Sequence, residues 1–138
     1  MIDVLNEKKD SNFLLICDHA SNHIPEIYNN LGLDRKVLDT HIAYDIGAKE
    51  VAENISHCIQ CPLIMTDFSR LLIDVNRGID DPTLIMKISD GNIIKGNKNI
   101  SFLSNCEEKK KRINNYYNLY HKKISEIITS SIKNKIFP

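Results

Sequence analysis

Apolar residues along the chain fall into two patterns, short continuous runs and longer stretches at helical spacing. Phe13 to Cys17 is an unbroken apolar run of five, and Leu63 to Thr66, opened by Pro62, is a second short run. Both predict strands buried on both faces, as in α/β sheets. Between them, from Asp45 to Ile59, Ala48, Ala52, Ile55 and Ile59 recur at spacings of four, three and four, with Val51 beside them. That spacing predicts a helix with Asp45 as its N-cap. Strand, helix and strand in this order predict a βαβ-like unit whose two strands are parallel neighbours in the central sheet of a three-layer α/β domain. Glu26 to Leu31 reads as a short helix closed by Gly32, and the polar stretch from Met1 to Ser11 as a loose arm or a short edge element.

The segment Ser69 to Arg77 alternates. Read as a strand, it sets Leu71, Ile73 and Val75 on one face and Arg70, Asp74 and Asn76 on the other; read as a helix, it aligns Arg70, Asp74 and Arg77. Its β-branched content favours the strand. From Gly78 to Ser101 the turn chemistry of Asp80-Asp81-Pro82 and Asp90-Gly91-Asn92 predicts a long irregular excursion with one small hairpin. The last third is a helix: Ser104 and Glu107 form a capping box, and Ile113, Tyr117, Tyr120, Ile124 and Ile127 recur at four, three, four and three residues.

Composition narrows the classes. At 138 residues there is room for one domain, and 42% hydrophobic with 26% charged residues describes an ordinary globular core and surface. Eighteen basic residues balance eighteen acidic ones, so no net field draws the chain to nucleic acid or an anionic membrane. No apolar run approaches the ~20 residues that cross a bilayer, and the polar start is no signal peptide, so a cytoplasmic protein is expected. Cys58 and Cys61 make a lone C-x-x-C at a helix C-terminus, where the dipole does not lower a thiol pKa. All four cysteines are therefore expected to be reduced packing thiols.

Chemistry concentrates in the loop after the first strand. Asp18 and His19 are delivered by a rigid strand end, Asn22 and His23 follow, and imidazole with carboxylate is the donor set of zinc or a similar divalent metal. His41 and Asp45 are the next titratable groups in sequence. Arg70 and Arg77 suit a substrate carboxylate, being planar, always charged and bidentate, or else Asp74 neutralises one of them internally. His57 and His121 read as ordinary helix residues, and Lys109 to Arg112 as a solvated face.

Five blocks carry a resemblance. Cys-Asp-His-Ala-Ser-Asn-His-Ile-Pro at 17–25, His-Ile-Ala-Tyr-Asp-Ile-Gly-Ala at 41–48, Phe-Ser-Arg-Leu-Leu-Ile-Asp-Val-Asn-Arg at 68–77, Ser-Asp-Gly at 89–91 and Tyr-His at 120–121 resemble, in order, the N-formylglutamate amidohydrolase family. The resemblance implies an α/β three-layer fold with a mainly parallel sheet, related to the zinc carboxypeptidases, and a single partial amidohydrolase domain over residues 1–138. It implies metal-dependent hydrolysis of N-formyl-L-glutamate, or a related acidic N-acyl amino acid, to formate and L-glutamate in histidine catabolism. On it, His19 and His41 are the metal ligands, with zinc the metal. Asp45 and Asp18 are the catalytic carboxylates, and Arg70, Arg77, Asn22, Asn76 and His121 bind substrate. Family members are typically much longer, with a later His-Ser motif that has no counterpart after His121, and usually carry glutamate where this chain has Asp18. The chain thus resembles an N-terminal portion, and its last helix is expected to be incompletely covered, leading to self-association or to a second chain that completes the fold. The alternative is a non-catalytic remnant, a carboxylate-binding or helix-mediated interaction module.

Overall fold

Among the described residues, Leu63–Thr66 is the one strand buried along its whole length, and the sheet is built around it. The computed structural model describes residues 2–9, 11–101 and 106–134. In chain order its elements are β1 (Ile2–Leu5), β2 (Leu15–Cys17), α1 (Arg35–Leu38), α2 (Ala48–Ile59), β3 (Leu63–Thr66), β4 (Ile88–Ser89), β5 (Asn92–Ile93), α3 (Glu107–Arg112) and α4 (Asn118–Asn134). A π-helical turn, Ile113–Tyr117, joins α3 to α4.

The sheet order is β1-β3-β2. β2 runs parallel to β3 with Leu15 opposite Leu63 and Cys17 opposite Met65, joined through α2 as a βαβ unit. β1 pairs with the other side of β3 in antiparallel register, Ile2 opposite Thr66. One parallel and one antiparallel pairing make this a mixed sheet within a mixed α/β fold, rather than the mainly parallel sheet expected. The polar start of the chain thus contributes an edge strand. Alternation along β3 sorts the two cores: Leu63 and Met65 pack with Ala48 and Ala52 of α2, whereas Ile64 belongs to the larger cluster that includes Tyr120 and Ile127 of α4.

Several expectations need correction. β2 is shorter than the apolar run, and Phe13 and Ile16 are exposed, because β2 is an edge strand in the described sheet. α2 begins at Ala48 after Gly47 in the left-handed region (φ 85°), so Asp45 lies a turn ahead of the helix and is no N-cap. The Glu26–Gly32 helix is a 3-10 turn interrupted by Asn29, Asn30 and Leu31 at positive φ. Leu31 is held there by burial against Gly96, where an added Cβ would sit 2.8 Å from the Leu31 Cα. The expected hairpin exists as β4 and β5 around Asp90 and Gly91, both at positive φ. On the stripe of the last helix Tyr120 and Ile127 are buried, while Ile113, Tyr117 and Ile124 lie only half-buried against the core, so its cover is incomplete. Ser104 of the capping box lies outside the described residues. No described helix is long and apolar enough to cross a membrane.

The largest departure is Ser69 to Arg77, which forms buried turns and no strand. A strand neighbour is not there to satisfy its carbonyls; distant side chains do so instead. Asn97 donates to the Leu71 carbonyl (2.8 Å) and the Met86 carbonyl (2.7 Å), and accepts from Arg112, which also donates to the Leu72 carbonyl (2.9 Å). The Arg112 guanidinium pairs with Glu108 and lies over the Tyr28 ring, so the Lys109 to Arg112 run contains a buried arginine and is not simply a solvated face. A buried carbonyl stripped of its donor costs roughly 1–3 kcal/mol. Asn97→Ala strips two, and urea titration should show it losing roughly 3 kcal/mol of stability; a loss no larger than that of an exposed alanine substitution would mean the turns hold themselves.

Candidate active site

Thr66, at the end of β3, anchors the loop that leaves β2: its hydroxyl donates to the Asp18 carbonyl at 2.7 Å and accepts the Ala20 N–H. His19 is thereby buried at the strand end. Its own carbonyl accepts the Asp45 N–H (3.0 Å), which brings the segment ahead of α2 alongside. That segment is clipped in turn to the buried turns, because the Ser69 hydroxyl and the Arg70 N–H both donate to the Ala43 carbonyl.

These ties gather three segments around one carboxylate. Asp74 is fully buried, and its Oδ1 lies 2.7 Å from His19 Nε2 and accepts the Asn76 N–H at 3.0 Å. Its Oδ2 accepts from Arg70 at 3.0 Å, with the Arg77 Nε 3.8 Å away. The other His19 nitrogen, Nδ1, lies 3.3 Å from the Asp45 carboxylate, which also receives Arg70 at 3.3 Å. His19, Asp45, Arg70, Asp74 and Arg77 therefore form one continuous charged cluster. Asp45 and Arg77 are its two members that remain open to solvent.

Burial opposes a charge on His19, but the hydrogen bond and charge of Asp74 outweigh it, and the imidazole pKa is raised above 6.5. For Asp74 burial pushes the carboxyl up, yet the His19 hydrogen bond and charge, the Asn76 N–H and Arg70 prevail, and its pKa is lowered below 3.8.

The remaining candidate residues sit elsewhere or act through others. The Asp18 carboxylate accepts the Tyr120 hydroxyl at 2.7 Å, tying α4 to the site loop. Burial and this bond to Asp18 push the Tyr120 hydroxyl pKa well up. Asn22 donates to the Leu38 carbonyl and to Asp39. His41 is exposed, with Asp90 its acidic neighbour at 3.5 Å. His121, read as an ordinary helix residue, donates from Nε2 to the Val75 carbonyl at 3.1 Å, and Tyr117 donates to the Arg77 carbonyl at 2.8 Å, so α4 and the turn before it hold the backbone that presents Arg77. The Asn76 side chain is exposed; its backbone N–H serves Asp74. Sequence reasoning undervalued Asp74, although the spacing of Arg70, Asp74 and Arg77 at four and three was its signal. The described cysteines are all free, with Cys17 and Cys61 buried, Cys106 half-buried and Cys58 exposed.

As a metal site the cluster is partial. His19 hydrogen-bonded to Asp74 through Nε2 leaves Nδ1 as the donor, beside the Asp45 oxygen, and a carboxylate behind a ligating histidine is the usual supporting arrangement. Two donors do not close a site. No group of three histidine, cysteine or acidic side chains among the described residues is arranged to hold a metal ion.

A family model described as N-formylglutamate amidohydrolase matches residues 11–135. A crystal structure of a gene product from Agrobacterium tumefaciens is similar with a TM-score of 0.90 at 34% identity, over 96% of this chain and 51% of that one. The chain therefore spans about half the length of that solved relative. No curated protein matches.

The buried cluster sets a pH window. The His19 contribution is fully present below its unfolded pKa, near 6.5, and is lost as pH rises through the raised folded value; that of Asp74 is present above 3.8 and is lost as pH falls through the lowered value. Unfolding free energy should decline as pH rises from about 6.5 through the raised His19 value, and His19→Gln should remove that decline. Asp74→Asn, which strands a buried imidazole and a guanidinium, should cost about 3 kcal/mol in denaturant titration, against less than about 1 kcal/mol for Asp45→Asn.

Proposed function

Since the chain belongs to the N-formylglutamate amidohydrolase family, we propose that it carries the recognition and proton-transfer residues of an amide hydrolase acting on N-formyl-L-glutamate or a related acidic N-acyl amino acid. The observation that supports this reading is the convergence of His19, Asp45, Arg70 and Arg77 around the buried Asp74. Water adds across the amide: its oxygen bonds to the formyl carbon, the C–N bond breaks, and formate and L-glutamate leave.

Arg77 is the substrate clamp. Its head is exposed and only loosely paired, so it can close on a carboxylate as a planar bidentate donor. Arg70 is committed to Asp45 and Asp74 and acts chiefly by holding the Asp45 carboxylate in place. Asp45, open to solvent on one side, is placed to take a proton from the attacking water and hand it to the departing amine. His121, Asn76 and Asp18 are positioning residues: the first holds the Val75 carbonyl, the second anchors Asp74 by its N–H, and the third fixes the loop through Tyr120.

The metal is part of the same proposal. His19 Nδ1 is the donor this site offers to a divalent ion, zinc by donor type, with Asp45 beside it left as the base and the remaining ligands supplied from outside the described residues. The chemistry such an ion supplies is activation of water and polarisation of a carbonyl. The relation to the zinc carboxypeptidase fold and a cytoplasmic place in histidine breakdown belong to this proposal too.

A second reading is a carboxylate-binding module without turnover, and the coverage of only 51% of the solved relative favours keeping it. Formate release from N-formyl-L-glutamate with added zinc separates the two. Turnover is expected, with Asp45→Asn lowering kcat about 100-fold or more and Arg77→Met raising KM by about 10- to 100-fold with little change in kcat. Binding of N-formyl-L-glutamate that depends on Arg77 but yields no formate selects the second reading.

A further inference from the structure

Arg77 stands where the buried turns run out. Residues 71–75 are buried and residues 76–80 are exposed, and Gly78, next along the chain, has open space around the position of a side chain. An arginine there carries several rotatable bonds on a stretch of backbone that is leaving the core, so its head is held only as well as its root. The root is tied from two directions. The Arg77 N–H donates to the Asp74 carbonyl within the turns (3.1 Å), and the Arg77 carbonyl accepts the Tyr117 hydroxyl at 2.8 Å from across the molecule.

The helix is reshaped to make that bond. In a regular α-helix a residue five positions on is turned by about 140°. Here the Asn118 N–H donates to the Ile113 carbonyl, the five-residue spacing of a π turn, so residues five apart stand roughly one turn apart. Arg112 and Tyr117 are such a pair, and they reach the same stretch of backbone, Arg112 at the Leu72 carbonyl and Tyr117 at the Arg77 carbonyl. A regular α-helix that kept Arg112 on Leu72 would swing Tyr117 away from Arg77. Four residues further on, His121 donates to the Val75 carbonyl at 3.1 Å, and its ring packs on that of Tyr117 with centroids 4.3 Å apart. Three side chains thus form a ladder along the turns, and Tyr117 is the rung at the clamp.

We propose that Tyr117 is a positioning residue for substrate binding: by holding the Arg77 carbonyl it fixes where the Arg77 guanidinium meets the carboxylate of an acidic N-acyl amino acid. The proposal rests on the reading of Arg77 as the clamp. With its root held by Tyr117 and its Nε facing Asp74 at 3.8 Å, the guanidinium has less freedom left to lose when a carboxylate arrives. The effect falls on affinity and not on the chemical step, because His19 and Asp45 are held by other bonds, to Asp74 and to Arg70.

The test is a double-mutant cycle on the whole chain, read by titration calorimetry with N-formyl-L-glutamate and by the NMR order parameter of the Arg77 Nε–H. Tyr117→Phe keeps the ring on His121 and removes only the hydroxyl. It is expected to weaken binding about fivefold, to add nothing further in an Arg77→Met background, and to lower the Arg77 order parameter while that of the buried Leu72 amide stays as it was. Ser125→Ala, which loses an exposed bond to the His121 carbonyl within α4, should leave binding unchanged. The proposal is overturned by equal affinity of Tyr117→Phe and the wild type, by a loss as large in the Arg77→Met background as without it, or by an unchanged Arg77 order parameter. A wild-type chain that binds no N-formyl-L-glutamate overturns instead the reading of Arg77 as a clamp, and the order parameter then still decides whether Tyr117 holds it.

Discussion

A carboxylate without solvent contact has to be neutralised where it stands, and Asp74 is that group here. Its partners arrive from separate parts of the chain: His19 from the loop after β2, Arg70 and Arg77 from its own turns, and the Asn76 N–H from the next residue but one. Holding them all within reach requires the end of β2, the segment before α2 and the Ser69–Arg77 turns to sit together. The geometry proposed as the site is therefore also the geometry that makes a buried charge tolerable. Removing one partner leaves the others uncompensated, which is why the cluster behaves as a unit.

Behind it lies a second buried polar assembly, in which Arg112 and Asn97 serve the carbonyls of Leu71 and Leu72. The two assemblies share one stretch of backbone. Its front presents Asp74 and the arginines, and its back is fastened to α3 and to the Lys95–Asn97 turn. Turn backbone can be buried this deeply because long side chains reach its carbonyls, a role that sheet partners play for a strand.

Local pattern made the parallel pair β2 and β3 with its intervening helix legible, because an apolar run, an amphipathic helix and a second run leave few alternatives. It failed at Ser69–Arg77. Leu71, Ile73 and Val75 alternate as a strand would, and nothing nearby in sequence shows that Asn97 and Arg112 will supply the missing hydrogen bonds. On α2 the apolar spacing correctly marked a helix but not its buried flank, since Ala48, Ala52 and Ser56 approach the sheet closely while Val51, Ile55 and Ile59 face out. In the site, the residue types of His19, Asp45, Arg70 and Arg77 drew attention on chemical grounds. Asp18 was read by the same logic, yet its carboxylate is occupied by Tyr120, a partner that no local spacing reveals.

That Tyr120 contact spans 102 positions of sequence. At a synthesis rate of about 5–20 residues per second, Asp18 and the adjoining His19 loop leave the ribosome several seconds before the side chain that fixes them. Once β3 has followed, roughly halfway through that interval, the loop has two strands to fold against, but the Tyr120 hydroxyl is still to come. Organisation of the site is thus a late event in biosynthesis, and its timing is set by the arrival of a helix whose side chains need not touch a substrate at all.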